Sequence, residues 1–348
     1  MEFYTKSHRH HCGIDLHTKM MYVCIVDSDA NILIHKNIST SEKAFLTLIA
    51  PYREDLIVGV ECMFSWYWLA DLCREKGISF ILGHALYMRC IHGGKTKNDK
   101  IDSEKIARIM RGGDFPLAYV YPPGYRAVRD LMRRRAYLVR IKGDVQGHIS
   151  ITNYQYNLPA FEKNIVHKGN RQQIEDRFKN PAVRKNVETD IAVMDALHDE
   201  ITKLNAYILR MAKAFDPRTL YRLKSVPGIG DVLALTILYE VENIERFPSV
   251  QQFCSYSRLV KCHKESAGKK SGTSGSKIGN GHLKWAFSEA AILFMRDSDR
   301  AKAYVAKLAK RVGKGKAISI LAHKLGRAVY FVMKRKDAFD EQYFFRSC

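Results

Sequence analysis

Asp15, Glu61, Asp99 and Asp102 are the residues of this chain best suited to chemistry. They are four carboxylates set around turns in the first third of a sequence that is otherwise strongly basic. Carboxylates gathered together repel one another unless a cation neutralises them, and Mg²⁺ accepts such hard oxygen ligands alongside phosphate oxygens. The chemistry indicated is divalent-metal phosphoryl transfer. An acid near a turn or in the first turn of a helix is, taken singly, ordinarily a cap. The four as an ordered set point to a site.

The elements that must position them follow from the surrounding pattern. Asp15 lies in Gly13-Ile14-Asp15-Leu16, ahead of an apolar run over 21–26, a turn over 27–30 and a second run over 32–34, which read as a hairpin of strands. Glu61 ends a third apolar run over 56–60. Ser65 reads as the cap of a helix over 66–76, and residues 78–82 read as a further strand, so strands give way to alternating helix and strand, the pattern of a mixed α/β sheet. Asp99 and Asp102 follow the loop at 92–98 and open a helix through Ile106, Ala107 and Ile109. Residues three apart share a helix face, so both carboxylates point the same way.

The rest of the chain describes a partner. With 348 residues it is long enough for two or three domains, and its formal net charge of +21 calls for a polyanion. Nucleic acid is the first candidate, and an anionic membrane surface is the alternative. No apolar run is long enough to span a bilayer, and the start of the sequence lacks the apolar core of a signal peptide, so a cytoplasmic protein with no membrane partner is expected. Eight cysteines without a C-x-x-C pair favour reduced thiols over zinc or disulfides.

Tyr121-Pro122-Pro123-Gly124 punctuates the chain ahead of a basic helix carrying Arg126, Arg129, Arg133, Arg134, Arg135, Arg140 and Lys142. Its nearly single sign favours nucleic-acid contact over a plain solvated face. The polar stretch 147–185 specifies no element. Val187, Ile191, Met194, Leu197, Ile201, Leu204, Ile208 and Met211 then mark a long amphipathic helix, which either forms a coiled coil or packs against its own chain. The segment 223–234 contains Pro227-Gly228-Ile229-Gly230 and resembles a helix-hairpin-helix, whose turn offers backbone N–H groups to a phosphate; a simple tight turn is the alternative. The stretch 256–280 is rich in Gly, Ser and Lys, as a linker is, yet core-forming helices flank it. A flexible loop of lysines and hydroxyls in that position suits attack on a phosphodiester.

G-I-D with its early hairpin, V-G-V-E, K-N-D-K-I-D-S-E-K-I-A-R, the long middle helix, S-V-P-G-I-G, F-x-S, and E-S-A-G followed by G-N-x-x-L-K together carry a resemblance over nearly the whole chain. It resembles the DEDD transposases of bacterial insertion sequences, the family conventionally numbered one hundred and ten with its eleven-eleven subgroup, described as bridge-RNA-guided recombinases. Pilin-gene invertases are similar. The resemblance implies a ribonuclease-H-like (RuvC-like) α/β catalytic domain over 1–145, a helical coiled-coil assembly segment over 146–216, and a mainly α transposase domain over 217–348. It implies Mg²⁺ (or Mn²⁺) held by Asp15, Glu61, Asp99 and Asp102, and Ser266 as a nucleophile that becomes joined to DNA; Lys269 and Lys270, just beyond Gly268, are then placed to add positive charge close to the reacting phosphate. It further implies target and donor DNA, a structured non-coding guide RNA, homodimers or homotetramers, and a place at the bacterial nucleoid.

The sequence departs from the family signature at Glu265-Ser266-Ala267-Gly268, where S-S-G is usual, and has Arg258-Leu259-Val260-Lys261 where a proline is usual. Ser271, Ser274 and Ser276 stand close by. Two other classes are open: a Holliday-junction-type metal nuclease using only the acids, or a non-catalytic nucleic-acid binder. An invertase acting without a guide RNA is open as well.

Overall fold

The computed structural model describes residues 2–91, 98–261, 264–266, 268–272 and 278–346, which fall into two compact units, Met1–Pro123 and Gly124–Cys348.

The first unit is built on a mixed sheet. Its strands are β1 (Phe3–Tyr4), β2 (His10–Leu16), β3 (Met20–Asp27), β4 (Ile32–Ser39), β5 (Leu56–Glu61), β6 (Ser79–Gly83) and β7 (Phe115–Ala118), ordered β1-β7-β6-β5-β2-β3-β4. β2, β3 and β4 form an antiparallel meander, whereas β5 runs parallel to β2 and β6 parallel to β5. The two-residue period of β2 divides its side chains between two layers. Cys12, Ile14 and Leu16 join a core with Phe45 and Ile49 of α1 (Glu42–Ile49) and with Leu69 and Leu72 of α2 (Tyr67–Glu75). Gly13 and Asp15 therefore face the other layer, made by α3 (Ala85–Ile91) and α4 (Asp99–Gly112), where Ile57, Ile81, Met88, Ile106, Met110 and Phe115 form a second core.

The mixed sheet expected from the apolar runs is present, with three strands added, β1, β2 and β7, and one cap corrected. Asp15 belongs to a strand of its own, β2, rather than to the approach to a hairpin. Ser65 does not cap a helix: its hydroxyl donates to the Leu16 carbonyl at 3.0 Å, and α2 starts without a side-chain cap.

Among the described residues, the second unit is helical apart from one hairpin. Two long helices, α5 (Pro123–Gln155) and α6 (Pro181–Phe215), lie antiparallel, joined by Arg135 to Asn205 at 3.0 Å and Lys142 to His198 at 3.3 Å. Val187, Met194, Ile201 and Ile208 of the α6 stripe are buried within the chain, whereas Met211 near its end is exposed. Asn180 caps α6 with Pro181 at its first position, and the stretch before it, which specified no element in sequence, folds back to bury Ile165, Ile174 and Phe178 against Ile149 and Val187.

The bundle continues through α7 (Pro217–Lys224), α8 (Asp231–Val241), α9 (Val250–Tyr256), the hairpin β8 (Lys264–Ser266) and β9 (Lys269–Gly272), α10 (Gly281–Asp297), α11 (Asp299–Val312), α12 (Lys314–Arg335) and α13 (Glu341–Phe345). Every residue of α8 from Leu233 to Val241 is buried, which accounts for its apolar character all round. No helix among the described residues is long and apolar enough to cross a membrane. Cys12, Cys24, Cys73 and Cys254 are buried free thiols, and Cys62 is an exposed one.

Candidate active site

The acidic site is assembled by a close approach of helix to sheet. A Cβ at Gly13 would stand 2.3 Å from the Ala107 nitrogen and 2.4 Å from the Ser103 carbonyl oxygen, so only glycine lets α4 lie this near β2. With Ala107 and Ser103 over Gly13, the first turn of α4 falls over the end of β2, and Asp15 comes near Asp99 and Asp102. The helix start is fixed in turn. Asn98 accepts from the Lys100 amide at 2.7 Å, and His35 of β4 reaches the Lys100 carbonyl at 2.8 Å. Acids in a first helical turn also sit at the positive end of the helix dipole, which offsets part of their repulsion.

Glu61 arrives through strand register. Ile14 pairs with Val60 in the parallel ladder of β2 and β5, so the next position along sets Glu61 beside Asp15 on the same face of the sheet. All four acids therefore belong to one corner of the first unit, at the ends of two parallel strands and the start of one helix.

Their electrostatics reflect that crowding. Burial raises the Asp15 carboxyl above the usual carboxylate range, and the charges of Asp99 and Asp102 add to the rise while His17 opposes it. His17 was not singled out in the sequence. Its Nε2 lies 3.5 Å from Asp15 Oδ2 and 3.6 Å from Asp99 Oδ2. The signal that could have found it is its spacing, two residues beyond Asp15. Asp15, His17 and Asp99 present donor atoms all within 4.8 Å of one another, a mixed oxygen and nitrogen set that fits a divalent ion.

The segment expected to be a flexible loop contains paired strands instead. β8 and β9 form an antiparallel hairpin in which Ser266 is the cross-strand partner of Lys269 and Glu265 that of Lys270, with Gly268 at φ +73° in the turn. Lys269 is exposed. The side chains of Ser266, Lys270 and Ser271, and the whole of Ser274 and Ser276, lie outside the described residues. The base of the segment is closed by Arg258 Nε donating to the Gly279 carbonyl at 2.8 Å and by the Asn280 amide donating to the Tyr256 carbonyl at 2.6 Å.

Comparison with known proteins places both regions. A family model for DEDD transposases, described as "Transposase", matches residues 12–149, and one described as "Transposase IS116/IS110/IS902 family" matches residues 220–306. The chain belongs to this transposase family. It is similar to the transposase for insertion sequence element IS1111A of Coxiella burnetii (strain RSA 493 / Nine Mile phase I), with 20% identity over 340 residues, 94% of this chain and 90% of the relative. The transposase is thus an enzyme that cuts and rejoins DNA, and its DEDD class points to use of a divalent metal.

The transposase divides its predicted basic face in two. Arg129 and Arg133 turn inward to Glu240, with Nε atoms 2.9 and 2.7 Å from its oxygens, and Arg126 is buried. Arg135 is half-buried against Asn205. Arg126, Arg129, Arg133 and Arg135 thus have contacts within the fold, while Arg134 and Arg140 are exposed, both over the ring of Tyr137. Glu240, a second residue missed in sequence, is 2% exposed and also accepts from Asn280 Nδ2 at 2.7 Å. Burial alone would raise its carboxyl, but the hydrogen bond and charge of Arg133, the charge of Arg129 and the Asn280 bond hold it at about 2.

Gly228 is likewise accounted for by packing. At φ +82° a Cβ there would meet the α10 backbone 2.5 Å from the Ala290 carbonyl oxygen and 2.6 Å from the Phe294 nitrogen, so this glycine seats the turn on α10. Gly230 is open to its surroundings and begins α8. Asp231, the next residue, pairs with Lys224 at 2.6 Å.

Proposed function

We propose that this insertion-sequence transposase cuts and rejoins DNA with its acids holding Mg²⁺ or Mn²⁺ and with Ser266 as the nucleophile. The observation that carries the reading is the convergence of Asp15, Asp99 and Asp102 at one corner of the sheet, with Glu61 in register beside Asp15. A ribonuclease-H-like (RuvC-like) first domain is supported by the antiparallel meander β2-β3-β4 continued by parallel β5 and β6, with acids at the ends of β2 and β5.

When bound, the ion acts as a Lewis acid on the oxygens of the scissile phosphate. Asp15 and Glu61 hold it from strand ends, and Asp99 and Asp102 from the helix above. Ser266 Oγ then forms a bond to phosphorus while the bond to the departing DNA oxygen breaks, and that oxygen takes up the proton released from the serine. The phosphodiester count is unchanged, so a hydroxyl on another DNA end reverses the step without external energy. Lys269, opposite Ser266 in the hairpin, adds positive charge beside the reacting phosphate.

Sequence choice is assigned to a structured bridge RNA paired with target and donor DNA, as in other RNA-guided systems in which protein reads backbone and shape. A net charge of +21 suits that division. Three functional segments, 1–145, 146–216 and 217–348, acting in homodimers or homotetramers within the bacterial cytoplasm at the nucleoid, complete the proposal.

The test is incubation of the protein with supercoiled donor and target DNA, Mg²⁺ and co-purified RNA. The expected product is recombined DNA with a protein–DNA adduct that survives denaturant and is removed by protease. Ser266→Ala loses adduct and recombination while retaining nucleic-acid binding. Hydrolysed ends with no adduct under any productive condition would favour the metal nuclease, and recombination without RNA would favour a pilin-type invertase.

A further inference from the structure

We propose that His17 is a ligand of the metal ion held at the acidic corner, and that its nitrogen donor biases this site toward Mn²⁺ over Mg²⁺. The inference rests on the metal-site reading given above and extends it to a residue outside the acidic tetrad.

Placement comes first. His17 lies one residue past the end of β2, two positions after Asp15, and its imidazole stands beside both Asp15 and Asp99 of α4. Its backbone is fixed at both polar groups: its amide donates to the Met20 carbonyl at 3.2 Å, and its carbonyl accepts from the Thr40 hydroxyl at 2.9 Å. The imidazole thus projects from an anchored turn, and about half of it remains exposed to an incoming ion.

Spacing comes second. The Nε2 separations of 3.5 and 3.6 Å from Asp15 Oδ2 and Asp99 Oδ2 exceed the roughly 2.7–3.2 Å of ordinary hydrogen bonds. They match the roughly 3–4 Å between two donors that each stand about 2.1 Å from one ion. The two acids come from different elements, β2 and α4, and His17 Nε2 approaches both. A side chain serving only as the ion-pair partner of one carboxylate has no need to address a second on another element.

Donor chemistry then sets the preference. Mg²⁺ strongly favours oxygen ligands in near-ideal octahedral geometry, whereas first-row transition ions accept imidazole nitrogen more readily. A site made of carboxylates alone discriminates weakly between Mg²⁺ and Mn²⁺, and one nitrogen donor tilts it.

The experiment uses the full chain with MnCl₂ and MgCl₂ as probes, and compares the wild type with His17→Asn, His17→Ala and Asp15→Asn, each checked for an unchanged circular dichroism spectrum. Pulsed electron paramagnetic resonance of the Mn²⁺-loaded wild type is expected to show nitrogen modulation that both His17 variants lose. Mn²⁺ affinity in those variants is expected to fall by at least about 10-fold, the lower end of what losing even an outer partner of a ligand costs, with a much smaller fall for Mg²⁺. Absence of nitrogen modulation in the wild type, its persistence in His17→Asn, or equal changes for the two ions would overturn the proposal. A gain in affinity for both ions would do the same, since it would make His17 a competitor of the metal for the carboxylates. If Asp15→Asn abolishes Mn²⁺ binding while the His17 variants bind as the wild type does, this inference alone fails; if Asp15→Asn binds normally, the metal-site reading fails with it.

Discussion

Replacing Glu240 by Gln tests the account of the second unit most directly. The side chain keeps its shape but loses the charge that two arginines and Asn280 converge upon. Holding this carboxyl at about 2 instead of the ordinary 4.5 corresponds to about 3 kcal/mol of preference for the charged form in the folded state. The figure agrees with the roughly 3–5 kcal/mol lost when one member of a buried ion pair is removed. For a unit of this size about 1 kcal/mol shifts the melting temperature by about 2–4 °C, so Glu240→Gln is expected to melt about 6–12 °C lower at pH 7. The sign with pH follows from a depressed folded-state value. The stabilisation is fully present above the ordinary 4.5 and is lost as pH falls toward about 2, so the gap between variant and wild type should close over that interval. Calorimetry or circular dichroism melts across that pH range would measure it. A variant melting within about 2 °C of the wild type at pH 7 would refute the reasoning, because it would mean that the arginines find equal partners without Glu240.

Gly13→Ala is expected to cost about 1–3 kcal/mol by pressing on the α4 backbone and to reduce recombination by displacing Asp99 and Asp102, whereas unchanged activity would show that the contact does not position them. Asp15, with its raised carboxyl, has the opposite linkage to Glu240: without divalent ions its contribution to stability is present below the ordinary carboxylate range and is lost as pH rises through the raised value. Asp15→Asn should therefore melt higher than the wild type at pH 7 in chelator, and titrated Mn²⁺ should stabilise the wild type alone. DNA affinity should fall by about 10³-fold or more between 50 and 200 mM salt if several phosphates are neutralised. Arg134→Ala with Arg140→Ala should flatten that slope with little change in melting temperature, while a flat slope in the wild type would count against phosphate contact.

The sheet and the start of α4 were legible because apolar runs and turn residues state them locally. β2 was less so: His10-His11-Cys12 does not read as a strand until β3 and β5 flank it on either side. Ser65 misleads because a hydroxyl ahead of a helix looks like a cap, and only the nearness of Leu16 shows where it donates. The four acids could be listed from sequence, but His17 could not be joined to Asp99 without the fold that sets β2 under α4. The pairing of the α5 arginines was hidden for a related reason. Their charge is visible, yet the carboxylate that claims Arg129 and Arg133 lies 111 and 107 positions away, in a helix that is otherwise almost wholly apolar. A stretch of Gly, Ser and Lys carries no alternation, so the pairing of β8 with β9 was hidden as well.

The closed base of the hairpin segment has a consequence for what this region tolerates. Arg258 and Gly279, 21 positions apart, are tied by a direct bond, and α9 and α10 on either side belong to the packed bundle. Once the ends are fixed in that way, the entropy of closing the chain between them grows only logarithmically, and doubling its length costs about 0.6 kcal/mol. The bundle is therefore nearly indifferent to how many residues pass through the gap. Changing the length of the span between Arg258 and Gly279 costs the bundle little, which makes this a place where relatives can differ in length at small cost to folding.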